Sequence, residues 1–158
     1  MAQNSMGTVN RVLIRGASLW MLMALLLAWS LVGIFNDIGF VKEIFSGDYK
    51  RLLQAHIDFL LMTALILGFH ATKVELPWHV SWAMVIGAFT NSSLFMLFAI
   101  FPTLDPVSTQ FVPTGAAHNV FNLYMYTSLI ITSYGFGKGA LLVFKSSLQT
   151  EESRYETN

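Results

Sequence analysis

The chain has 158 residues, of which 54% are hydrophobic and only 11% charged, and its mean hydropathy is +0.57. A soluble domain carries about 25% charged residues, so most of this chain has lipid or other helices as its solvent. Nine basic residues balance nine acidic ones, which leaves no basic stripe for nucleic acid. Cysteine is absent from the sequence, which excludes disulfides, thiolate-bound metals, iron–sulfur clusters and a cysteine nucleophile.

A spanning helix needs about 20 mostly apolar residues. Four segments meet that length, at residues 17–35, 52–72, 78–101 and 117–144. The first is preceded by Arg11 and Arg15 and contains Ala28-Trp29-Ser30, so it superficially resembles a secretory signal. Its apolar run continues through Phe35, which is too long for a signal core, and a retained anchor is expected. Residues 36–51 form a mixed polar loop with a Gly47-Asp48 turn, and Phe40, Val41, Ile44 and Phe45 make a short apolar stripe suited to the membrane surface. Residues 73–77 are a tight turn, so the second and third spans are antiparallel neighbours. Residues 102–115 hold three prolines and end the third span. The fourth segment is long enough to tilt or project beyond the bilayer, and the polar residues 146–158 are expected to be a disordered tail. The predicted fold is all-α: one integral membrane four-helix bundle over residues 1–145.

Cation placement predicts the orientation. Both termini and the second loop share one side, with Arg11, Arg15, Lys73, Lys138, Lys145 and Arg154. The opposite side holds Lys42, Lys50 and Arg51. Six cations against three put both termini in the cytoplasm and place His56, Asp58 and His118 toward the outer end.

Ionisable groups within a span are costly and by default mark a functional site. His56 suits an iron, zinc or copper ligand, or equally an interfacial histidine bonded to a carbonyl. Asp58 lies two residues on, about 200° round a helix, so it does not share an ion with His56 from one regular helix. Its expected partners are another helix, a second subunit or a cation such as Arg51. Asn91 lies mid-span in Phe89-Thr90-Asn91-Ser92-Ser93, a small polar run that suits helix packing or lines a cavity. His118 and Asn122 are four apart and share a helix face, where they cap and anchor the fourth span or face a site. His56, His118 and Asp58 together permit a non-haem metal site. His70 and His79 flank the short turn and read as interfacial. The sequence contains no nucleophile elbow, P-loop, dinucleotide fingerprint or HExxH signature.

Two pieces of sequence carry a resemblance. One is Ala55-His56 opening the second span. The other is residues 91–102 (NSSLFMLFAIFP), where an asparagine precedes an aromatic-rich helix end and a proline eleven residues later. With four spans and a polar-started fourth helix, the chain resembles the membrane-bound styrene oxide isomerases and hydroxylaminobenzene mutases. The resemblance implies a homotrimer in a bacterial inner membrane. It implies haem b near the subunit interfaces, with His56 on the iron and Asn91 and Asp58 orienting the cofactor or the substrate. The implied reaction is a Lewis-acid rearrangement of a small apolar or aromatic epoxide- or hydroxylamine-like substrate, in a pocket of Met62, Asn91, Phe95, His118 and Asn122. The family carries an asparagine where this chain has Met62 and a tyrosine where it has Phe95. Neither replacement can donate a hydrogen bond. The alternative is a non-catalytic transmembrane subunit of a larger complex, still able to bind haem.

Overall fold

The computed structural model describes residues 3–156. Its helices are α1 (Gln3–Phe35), α2 (Gly39–Ile44), α3 (Tyr49–Ala71), α4 (Trp78–Ile100) and α5 (Ala116–Glu156), with one 3-10 turn at Pro102–Leu104. Four of these are long and apolar enough to cross a membrane, at Arg11–Phe35, Tyr49–Ala71, Trp78–Ile100 and Ala116–Gln149. The chain is therefore an integral membrane protein in contact with lipid. Leu22, Leu26, Trp29, Leu123 and Ile130 all stand exposed on the bundle's outer surface, as lipid solvation requires.

Local chemistry sets the ends of the helices. Asp37 leaves α1 in the left-handed region at φ 61°. Asp48 caps α3, its carboxylate accepting from the Lys50 amide at 2.9 Å. Lys73 turns at φ 58°, and Pro77 precedes the first residue of α4. Pro102 ends α4 because it lacks the amide that a further turn would use. Two expectations are corrected here. The 36–51 loop contains α2, whose Val41 is buried against α1 at Gly33. The segment expected to be a disordered tail from residue 146 is helical as far as Glu156, because no glycine or proline interrupts α5 after Gly139.

The helices pack in the order α1, α3, α4, α5, with α4 central and also touching α1. Trp20 of α1 fills the junction. Its ring stacks on Phe89 at 4.7 Å and approaches Phe59 at 6.2 Å, while its indole N–H donates to the Val85 carbonyl at 3.1 Å. The indole is thus satisfied at bilayer depth, where no water would replace that carbonyl. The α4–α5 seam is built from small residues. A Cβ on Gly87 would lie 2.7 Å from the Thr132 Cα, and one on Gly135 would lie 2.6 Å from the Met84 amide. Only glycine permits that approach, the usual means by which membrane helices gain packing contact.

Candidate functional site

Three polar constellations interrupt the apolar bundle, and α3 carries the anchor of each of the first two. His56 lies seven residues into α3, about 10 Å from its start, on the face that meets α1. Its Nδ1 is 2.8 Å from the Ala24 carbonyl oxygen. A carbonyl only accepts, so Nδ1 carries a proton and Nε2 is the ring nitrogen left for a ligand. That arrangement, fixed by a main-chain oxygen, is the one metal-bound histidines commonly show. The donor chemistry of His56 therefore fits an iron ligand presented by Nε2. Leu53 and Leu60, one turn to either side on the same face, supply apolar surface beside it.

Asp58 points to the other side of α3. The Asn91 amide donates to its Oδ2 at 3.3 Å, and both residues are half-buried. Nine residues separate Asp58 from the start of α3 and Asn91 from the end of α4. The pair thus lies about 14 Å in from the shared end of both helices, nearer the middle of each helix than its end. The expectation that Asp58 could pair with Arg51 is corrected. Arg51 instead binds Asp105 in a bidentate ion pair, Nε to Oδ2 at 2.7 Å and Nη2 to Oδ1 at 2.6 Å. Asp105 is almost fully buried and also accepts from the Val107 amide at 3.1 Å. Hydrogen bonds from Arg51 hold the Asp105 carboxyl below the ordinary carboxylate range, against a smaller opposing effect of burial. The pair floors a polar cavity of about 520 Å³ that also includes Lys50, Gln54, Ser108 and Gln110.

The third constellation joins α4 to α5. Ser93 donates to the Thr90 carbonyl at 2.9 Å, so its hydroxyl oxygen is left to accept from Tyr124 at 2.7 Å. Ser128 donates to Thr90 at 3.0 Å, and the Gly87 carbonyl accepts from both Thr90 and Thr132 at 3.2 and 3.0 Å. Thr90 and Ser93 are therefore packing groups, while Asn91 between them turns to α3.

The expected substrate-pocket residues are spread over both halves of the core and the start of α5. Met62 packs with Leu13, Ile66 and Met84 in the half of the core nearer the termini, and Phe95 with Ala55, Phe59 and Ala99 in the other half. His118 sets its ring edge against Phe111 at 5.7 Å, and its buried Nδ1 makes no hydrogen bond. Asn122 is half-buried one turn further along α5. Among the described residues no three histidine, aspartate or glutamate side chains converge on an ion position. The Arg51–Asp105 pair has no signal in the sequence, since the partners lie 54 residues apart. The α5 stripe Ser128, Thr132, Gly135, Gly139, with spacings of four and three, was legible as a packing face. Comparison with family models, with curated proteins and with solved structures finds no match for this chain.

Proposed function

We propose that this protein is a haem-binding membrane isomerase or mutase acting on a small apolar or aromatic substrate, with His56 Nε2 as the axial ligand. The observation that carries the reading is the His56–Ala24 hydrogen bond, which commits Nδ1 to the main chain and leaves Nε2 as the ring nitrogen for a ligand. The sequence resemblance to the styrene oxide isomerases and hydroxylaminobenzene mutases supplies the reaction class. Ferric haem held by His56 would supply a Lewis acid for an oxygen atom of the substrate. His56 holds the group and fixes its orientation, because rotation of the imidazole would break the bond to Ala24. Asn91 and Asp58 orient polar atoms of ligand or cofactor. Asp58, with Asn91 of α4 bonded to it, lies on a different face of α3 from His56, so a site using all three draws them from different copies of the chain. That placement favours a homo-oligomer; the orientation, with both termini in the cytoplasm of a bacterial inner membrane, rests on the cation asymmetry and the resemblance.

The packing of Met62 and Phe95 in the core favours one second reading, a haem-binding subunit without turnover of its own. An absorption spectrum of the detergent-purified protein, made with haem supplied, tests the main proposal. A Soret band in the wild type that His56→Ala abolishes, while the variant still elutes as a single folded species, is the expected result. No Soret band in the wild type removes the haem reading altogether. A Soret band with no turnover of epoxides or aryl hydroxylamines leaves the subunit reading in its place.

A further inference from the structure

The end of the bundle that carries both termini presents a second site. Lys138 and Lys145 lie seven residues apart on α5, which puts them on one face about 10 Å apart along the axis. Both line a shallow cavity of about 500 Å³ with Ser133, Tyr134, Leu141 and Leu142. No carboxylate among the described residues lies within ion-pair distance of either lysine. The partners of Lys138 are neutral: its ammonium donates to His79 Nε2 and to the Tyr134 hydroxyl, each at 3.4 Å. Lys138 thus has one donor left unused, and Lys145 lines the same cavity.

The setting selects the ligand. His79 is the second residue of α4, and its ring meets Trp78 edge-on at 5.8 Å. Trp78 is 70% exposed, an aromatic at headgroup depth. Leu141, between the two cations on the same face, is 61% exposed. Two ammonium groups with no carboxylate partner among the described residues, flanking exposed apolar surface, fit an anion that is covalently joined to hydrocarbon better than a free ion. We propose that Lys138 and Lys145, with Tyr134, bind the phosphate of an anionic phospholipid whose acyl chain lies against Leu141. This inference rests on the membrane placement alone and is independent of haem.

The test is native mass spectrometry of the full-length protein in detergent, titrated with phosphatidylglycerol or with phosphatidylcholine of the same acyl chains. Each interfacial lysine is worth about 1 kcal/mol toward an anionic lipid, which is roughly a five-fold change in affinity. Phosphatidylglycerol should bind at least ten-fold more tightly than phosphatidylcholine. Lys138→Gln and Lys145→Gln should each weaken it about five-fold and leave phosphatidylcholine unchanged. Both lysines are exposed, so the variants fold, and an unchanged elution profile confirms it. Lys42→Gln with Lys50→Gln, at the opposite end, should have no effect. Equal binding of the two lipids, or an equal loss in the Lys42/Lys50 control, overturns the proposal. Displacement of phosphatidylglycerol by millimolar inorganic phosphate overturns the lipid as the source and assigns the site to a free anion.

Discussion

Asn91 of α4 donates a hydrogen bond to Asp58 of α3 at 3.3 Å, and the pair stands at the same depth in two antiparallel helices. An interhelical hydrogen bond in a membrane protein contributes about 0.6 kcal/mol on average and up to about 1.7. Asn91→Ala removes the donor and leaves the half-buried carboxyl without a partner, so a loss of about 1 kcal/mol is expected in mixed-micelle unfolding with SDS. Asp58→Asn keeps a carbonyl acceptor for Asn91, so its stability should match the wild type. A larger loss for Asp58→Asn than for Asn91→Ala would mean that the carboxylate has a second partner, contributed by another copy.

The glycines divide by what a methyl group would meet. Gly87→Ala and Gly135→Ala drive a Cβ into the backbone of the facing helix, which cannot swing aside as a side chain does. Each should cost about 2 kcal/mol, in the range for overpacked sites, and loosen the α4–α5 seam. Gly68→Ala meets nothing within 4 Å and sits inside α3, where alanine is favoured over glycine by about 1 kcal/mol. Thermal unfolding in detergent should therefore move down for the first two and up for the third.

The Arg51–Asp105 pair ties the start of α3 to the loop before α5. Its side chains are 17% and 5% exposed, so removing one partner strands a desolvated charge, and Asp105→Ala should cost about 3 kcal/mol. The pH dependence follows from the lowered folded-state value of Asp105. The unfolded chain takes up the proton first, so the stabilisation is present above the ordinary carboxylate range. It is lost as pH falls through that range toward the folded value. A stability profile flat near neutrality that declines in the acid limb, and an acid limb that flattens in Asp105→Asn, are the expected results.

Because the chain has no cysteine, single cysteines map its orientation without background. With both termini in the cytoplasm, Thr109→Cys should react with an impermeant maleimide from outside intact cells. Glu75→Cys should react only after lysis. The reverse pattern would invert the cation-based orientation.

Hydropathy summed over some 20 residues is a local quantity, and it was enough to place the four spans. The expected 78–101 span and α4 (Trp78–Ile100) differ by one residue at the end, where Pro102 forbids a further turn. The same is true of the short turn around Lys73. The C-terminal segment was misread because polarity was taken as disorder, although a long helix tolerates polar residues once it leaves the apolar layer. The division of labour within Phe89-Thr90-Asn91-Ser92-Ser93 was decided only by tertiary packing. A rotation of 100° per residue sends Asn91 to Asp58 and Ser93 to Tyr124, and which helix stands on which side is not written in that run. The proton on His56 Nδ1 likewise follows from a carbonyl 32 residues away, and Arg51 chose Asp105 over Asp58 across 54 residues. Such pairings depend on where the chain returns in space, which apolar periodicity does not encode.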